Sequence, residues 1–157
     1  MSERPAGAAV HLPRPVDRSD LGFLLAKATQ RWNELLAERF AAAGYPEVRP
    51  AYGSVLVPLY EEDGLRMGEL ALRARLSKQT MTELVRRLER DGLVERRGDP
   101  RDARASQIFL TQHGRAFEPV VVEALTELDR LVTSLVGSEQ RDELRSMLQE
   151  LLELGSR

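Results

Sequence analysis

Residues 67–104 read MGELALRARLSKQTMTELVRRLERDGLVERRGDPRDAR. Apolar side chains recur at intervals of three and four both before and after Ser77, which is the spacing of amphipathic helices. Serine is a favoured N-cap residue, and Gly92 is a typical helix stop. The sequence therefore predicts two short helices over residues 67–75 and 77–91. They are joined as closely as the two helices of a helix-turn-helix.

The segment LVERRGDPRDARASQIFLT, residues 93–111, predicts a β-hairpin. Leu93-Val94 begins the first strand, Gly98-Asp99-Pro100 begins the turn, and Ile108-Phe109-Leu110 is rich in strand-forming side chains. Four arginines cluster on the hairpin within nine residues, at positions 96, 97, 101 and 104.

Helical spacing also covers most of the remaining chain. A long helix runs from Leu21 to Phe40, a shorter apolar segment follows it, and Thr111 caps a long fifth helix. Pro119 lies inside that fifth helix, so we expect a kink or a later start there. A last helix carries its apolar face from Leu144 to Leu152. The predicted order is four helices, a hairpin and two helices.

Composition fits one soluble globular domain, with 157 residues, 42% apolar and 31% charged. The absence of cysteine excludes disulfides, thiolate catalysis and thiol redox sensing. No apolar run is long enough to span a membrane, and residues 1–16 lack a signal-peptide core, so we expect a cytoplasmic protein. Two isolated histidines predict no metal site, and no catalytic pattern or cofactor motif predicts an enzyme.

The net charge of −2 conceals a division along the chain. Residues 66–104 contain eleven basic and seven acidic side chains, a net of +4, whereas the other residues sum to −6. Positive charge concentrated on a helix-turn-helix and hairpin indicates a surface that binds nucleic-acid phosphates.

In a helix-turn-helix the second helix presents its N-terminal residues to the major groove. The predicted base-reading residues are Ser77, Lys78, Gln79, Thr80 and Thr82. An arginine on the hairpin can enter the minor groove, and the candidates are Arg101 and Arg104. We expect Asp102 to orient the Arg104 guanidinium and shape the turn. The predicted phosphate contacts are Arg75, Arg86, Arg96 and Arg97.

The motifs LERDGLVERR (88–97), DPRDAR (99–104) and L-T-x-x-G (110–114) resemble those of the MarR family of winged helix-turn-helix transcriptional regulators. The resemblance implies a homodimer, formed by the first and the last two helices, on a pseudo-palindromic DNA operator. It also implies a small ligand that weakens DNA binding. This chain departs from the family at two places, because Glu83 and Arg86 reverse the usual charges and Ala103 replaces an arginine of the wing.

The expected fold is mainly α with a small β-hairpin wing, a winged helix-turn-helix with long N- and C-terminal dimerisation helices. The predicted regions are a flexible arm (1–16), a dimerisation region (17–48 and 116–157) and a DNA-binding domain (49–115). We expect a homodimeric regulator of double-stranded DNA, a repressor rather than an activator, with two half-sites about 10 bp apart. The alternative is a winged-helix module that binds a protein partner. Candidate contacts for a small aromatic or phenolic effector are Phe23, Arg31, Trp32, Tyr52 and Phe117, with Arg49 as a further carboxylate partner.

Overall fold

The structure, a computed structural model, describes residues 17–154. The predicted arm, residues 1–16, lies outside this range. Within this range six α-helices and three strands follow one another in the order α1 (Leu21–Ala42), α2 (Gly53–Glu61), β1 (Leu65–Arg66), α3 (Met67–Ala74), α4 (Lys78–Arg90), β2 (Val94–Asp99), β3 (Asp102–Leu110), α5 (Gln112–Val136) and α6 (Ser138–Leu152). A 3₁₀ turn at Pro50–Tyr52 precedes α2. The mainly helical fold with a small wing is confirmed.

The chain divides into two units after Trp32. In the first, the carboxylate of Asp17 accepts the backbone N–H of Ser19 (2.6 Å), and the carbonyl of Asp20 accepts the N–H of Leu24 (3.0 Å). Helix α1 therefore begins at a local network of hydrogen bonds. The large apolar side chains of Leu21 and Leu24 are 66% and 50% exposed.

The second unit begins at Asn33 and contains the remaining elements. Its core is formed by apolar side chains of α2, α3, α4 and the sheet, and the most completely buried include Val55, Leu70, Met81, Val85, Leu88, Leu93 and Ile108. The three-stranded antiparallel sheet has the order β1-β3-β2, with Leu65 opposite Ile108 and Val94 opposite Leu110. The register shifts at Gly98/Asp99, beside the hairpin turn.

Two details differ from the sequence prediction. The sequence prediction lacks strand β1, because two residues carry no alternation and their pairing partners lie 43 and 41 positions away. Of the two alternatives expected at Pro119, a kink or a later start, the later start is wrong, because α5 begins at Gln112, directly after its Thr111 cap, and continues through Pro119. The hydroxyl of Thr111 accepts the N–H of Gly114 (3.1 Å) and fixes the first turn.

Candidate nucleic-acid interface

Helix α4 is held by its cap and by one apolar face. The Ser77 hydroxyl accepts the N–H of Thr80 (3.1 Å), which satisfies one free donor of the first turn. Met81, Val85 and Leu88 are fully buried and attach the helix to the domain. The opposite face of α4 is therefore directed to solvent, as major-groove recognition requires.

The turn before α4 is sharp because Arg75 takes the left-handed conformation, with φ of 55°. In a residue other than glycine, this conformation strains the backbone. Its N–H caps α3 on the carbonyl of Leu72 (3.2 Å). Its guanidinium donates to the carbonyl of Leu152 and to the carboxylate of Glu153 (2.6 Å), both at the end of α6. Arg75, a predicted phosphate contact, is thus engaged within the protein.

The predicted base-reading residues fall into two groups. The hydroxyls of Ser77 and Thr80 contact each other (2.9 Å), and the Thr82 hydroxyl donates to the carbonyl of Lys78 (2.7 Å), so these three act within the helix. The side chains of Lys78 and Gln79 are exposed and form no hydrogen bond or ion pair within residues 17–154. Of the predicted base-reading residues, these two have all the hydrogen-bonding groups of their side chains available to a ligand.

The centre of the exposed α4 face extends beyond the residues predicted from sequence. Successive helical residues are offset by about 100°, which places Glu83 and Arg90 opposite the buried stripe. Glu83, Arg86, Arg87 and Arg90 line an open depression on this face. Glu83, Arg87 and Arg90 are not among the DNA contacts predicted from the sequence, although the helical phase of α4 alone places them on this face.

Backbone contacts of two aspartates shape the wing. The carboxylate of Asp99 accepts the N–H of Arg101 (2.8 Å), and that of Asp102 accepts the N–H of Arg104 (3.0 Å). Asp102 therefore binds the backbone N–H of Arg104 and not its guanidinium. This corrects the expectation that Asp102 orients that guanidinium, whereas a hydrogen bond to the backbone agrees with its expected role in shaping the turn. The side chains of Arg101 and Arg104 project from the turn, exposed and without an ion pair among the described residues.

Asp99 also joins the wing to the helix-turn-helix. Its buried carboxylate accepts from Nε of Arg66 (2.6 Å), the residue that precedes α3. The N–H of Arg101 holds the pKa of Asp99 below its usual value, and the Arg66 guanidinium acts in the same direction against the opposing effect of burial. The wing is therefore anchored by a carboxylate that stays ionised.

The basic side chains of residues 66–104, the basic segment, divide into those that form ion pairs and those that do not. Arg96 is bound to Glu89 of α4 (3.0 Å), and Arg97 is bound to Glu95 (2.7 Å) while it lies 4.5 Å from the ring centre of Phe109. Within residues 17–154 the cationic side chains of this segment that form no ion pair are Lys78, Arg86, Arg87, Arg101 and Arg104.

The predicted effector contacts belong to different units of the chain. Tyr52 and Phe117 are each 1% exposed; the Tyr52 hydroxyl donates to Asp91, and the Phe117 ring packs edge-on against Phe40 (4.9 Å). Burial raises the pKa of Tyr52, and the hydrogen bond to Asp91 adds to this effect. Phe23, Arg31 and Trp32 belong to the first unit, where Lys27 lies over the Phe23 ring (5.9 Å).

Within residues 17–154 no group of three histidine, aspartate or glutamate side chains could hold a metal ion. None of the helices in that range is long and apolar enough to cross a membrane.

Comparison with known proteins places this architecture in a family. Residues 50–106 match the family model described as "MarR family". The HTH-type transcriptional regulator TtmR of Methylorubrum extorquens is 34% identical over 142 residues, which cover 88% of this chain and 70% of that protein. The homoprotocatechuate degradative operon repressor of Escherichia coli is 31% identical over 98 residues, 62% of this chain and 66% of the repressor.

Solved structures agree with the sequence comparison. A probable transcriptional regulator from Pseudomonas aeruginosa superposes with a TM-score of 0.74 at 27% identity and covers 85% of this chain and 97% of its own. The transcriptional repressor CouR, bound to a 23-mer DNA duplex, gives a TM-score of 0.70 at 27% identity and covers 88% of this chain and 99% of its own.

Proposed function

This chain belongs to the MarR family and is a DNA-binding transcriptional regulator, and from that premise we propose that it acts as a homodimeric repressor on a pseudo-palindromic operator. Residues 49–115 form its DNA-binding domain, and residues 17–48 and 116–157 form its dimerisation region. The observation that carries the proposal is the group of unpaired cations on α4 and on the wing.

The proposed major-groove contacts come from the first turns of α4. Gln79 has the amide group that pairs with adenine, and Lys78 can donate to guanine O6 or N7. Arg86, which follows two turns later, supplies a phosphate or guanine contact. Ser77, Thr80 and Thr82 contribute mainly to the start of the helix, since their hydroxyls are bonded within it, and retain acceptor capacity for water or a base.

The proposed minor-groove contact is Arg104, with Arg101 on the adjacent phosphate. Both guanidinium groups are exposed, and the backbone at each arginine is fixed by an aspartate two residues earlier. A fixed turn places the arginines with less loss of entropy on binding. Arg96 and Arg97 bind phosphates only if they break or share their ion pairs with Glu89 and Glu95. We therefore expect them to contribute less to phosphate binding than Arg86.

The second copy in the dimer is supported by the exposed apolar side chains of α5 and α6. Helix α6 has no buried residue within the described chain, and its exposed apolar residues are Leu144, Met147, Leu148, Leu151 and Leu152. An isolated helix of 15 residues is marginal in water, so α6 needs a packing partner. Pairing of α6 helices between two copies would bury these side chains.

Oligomeric state tests the dimer directly. We expect the protein to sediment as a dimer and Leu144→Glu/Leu148→Glu to sediment as a monomer, because charges would be placed in the apolar interface. Leu72→Glu is the matched control, since Leu72 is 80% exposed on α3 and outside the proposed interface. A monomeric parent protein, or a double variant that stays dimeric, would contradict the proposed interface.

An effector of the aromatic acid class is the second element of the proposal. It is supported by the similarity to a repressor named for homoprotocatechuate degradation. Phe23, Arg31 and Trp32 are its candidate contacts, because Tyr52 and Phe117 are closed within the core. We expect homoprotocatechuate to raise the melting temperature and to weaken DNA binding; an unchanged melting temperature at millimolar ligand would argue against this class of effector.

DNA binding is tested by gel shift with the duplex upstream of the chain's own gene. We expect a specific shift at moderate salt that a scrambled duplex of equal length does not compete away. No specific shift would contradict the operator proposal and favour a winged-helix module that binds a protein partner.

A further inference from the structure

Glu83 lies at the centre of the solvent-facing side of α4, an unusual place for an acidic residue in a DNA-binding helix. It follows Gln79 by one turn, with an angular offset of about 40° and a rise of about 6 Å. That rise is less than two base-pair steps of about 3.4 Å each. A duplex that meets Gln79 in its major groove therefore places a neighbouring base pair opposite Glu83.

A structural role within the protein does not account for this carboxylate. Glu83 is exposed and forms no ion pair or hydrogen bond with any residue in the range 17–154, although Arg86 and Arg87 stand at the i+3 and i+4 spacings that favour such pairs. By contrast, Glu89 on the same helix is bound to Arg96 (3.0 Å). Glu83 is thus available to a ligand.

The chemistry of a carboxylate restricts that ligand. An ionised carboxylate only accepts hydrogen bonds, and DNA phosphates repel it. The only donors in the major groove are cytosine N4 and adenine N6. Adenine presents its N7 acceptor beside N6, which repels the second carboxylate oxygen, whereas cytosine presents no acceptor on that edge. Cytosine is the better partner.

We infer that Glu83 is a specificity-determining residue that accepts a hydrogen bond from cytosine N4 at one position of each half-site. The inference rests on the proposed operator binding and deepens it. The guanidinium groups of Arg86, Arg87 and Arg90 line the same depression and offset the repulsion between the carboxylate and the DNA backbone. Guanine and thymine at this position leave the carboxylate desolvated without a donor, and adenine sets its N7 acceptor against the second carboxylate oxygen, so Glu83 also rejects incorrect sequences.

Selection from a random duplex pool tests the inference with the full chain, Glu83→Gln, Glu83→Ala and Glu61→Gln. The last is the control, since Glu61 is exposed at the end of α2, outside the proposed DNA contacts and dimerisation region and without an ion pair in the described chain, and its substitution changes the net charge equally. We expect the parent and the control to select the same motif with C·G fixed at one position per half-site. Both Glu83 variants should lose that preference by roughly five- to 150-fold, the range for one base pair, and keep the others.

The possible outcomes distinguish a failure of this inference from a failure of the proposed operator binding. A parent motif that both Glu83 variants reproduce at every position would overturn the inference and leave operator binding intact. Loss of a preference for a base other than cytosine would overturn the cytosine assignment. A parent protein that selects no motif would overturn both. Circular dichroism should show unchanged helix content in the variants, because Glu83 is exposed.

Discussion

The first turn of α5 depends on a glycine at position 114. A Cβ atom at Gly114 would lie 2.1 Å from the carbonyl oxygen of Leu93, where ordinary contact begins at 3.4 Å. The conflicting atom is backbone, and that same oxygen accepts the N–H of Thr111 (3.1 Å). Gly114→Ala must therefore separate the start of α5 from the start of β2. This contact explains the L-T-x-x-G spacing that the sequence shows.

The size of the effect follows from the interactions that the separation disturbs. Two hydrogen bonds are involved, from Thr111 N–H to Leu93 and from Gly114 N–H to the Thr111 hydroxyl, each worth about 1 kcal/mol. Residual strain adds about 1–3 kcal/mol. The higher helix propensity of alanine offsets at most about 1 kcal/mol of this loss in the free energy of unfolding. We expect the free energy of unfolding to fall by about 2–4 kcal/mol.

Thermal unfolding at one fixed protein concentration measures this loss. A fall of 2–4 kcal/mol corresponds to a melting temperature lower by roughly 5–15 °C for a chain of this size. The control is Gly68→Ala in α3, where a Cβ meets nothing within 4 Å, so we expect an unchanged or slightly raised melting temperature. A Gly114→Ala protein that melts within 2 °C of the parent would refute the reasoning.

Three further predictions concern the wing and the recognition helix. Arg104→Ala should weaken binding to the specific duplex about tenfold or more in fluorescence anisotropy, while Arg130→Ala, an exposed α5 arginine, should change it less than twofold; equal losses would contradict the wing assignment. Ser77→Ala should lower the free energy of unfolding in urea by about 1 kcal/mol, and an unchanged value would show that the cap is dispensable. Asp99→Asn should be less stable than the parent at pH 7, with a difference that shrinks below about pH 4. The lowered pKa of Asp99 makes its stabilisation complete above the ordinary aspartate pKa and lost as pH falls through the lower folded value, so a difference that does not shrink at all as pH falls from 7 towards the acid limit of folding would contradict it.

Local patterns in the sequence were sufficient for the order and most ends of the helices. Ser77 and Thr111 cap α4 and α5 as predicted, and Gly44, with φ of 92°, follows the end of α1. Each of these features depends on residues within one turn of one another, so composition and spacing carry the information. Strand β1 depends on pairing with distant residues, and nothing in its two residues indicates that pairing.

The interface shows the same division between local and long-range information. The excess of positive charge on residues 66–104 can be counted in the sequence. Which of these basic side chains form ion pairs cannot be read from it, because the fold determines their partners. Arg75 binds Glu153, which lies 78 positions away, and Arg66 binds Asp99, 33 positions away. By contrast, the outward position of Glu83 follows from helical phase alone and could have been predicted from the buried stripe of α4.

Specific DNA binding by α4 and the wing is tested most directly by equilibrium titration of two duplexes of equal length, the upstream operator and a scrambled form, over a range of salt concentrations. The account predicts that the operator binds at least about 10³-fold more tightly at physiological salt. It also predicts an affinity that falls steeply with salt, by a log–log slope of about −0.9 for each phosphate contacted. Equal affinity for the two duplexes at every salt concentration would contradict it.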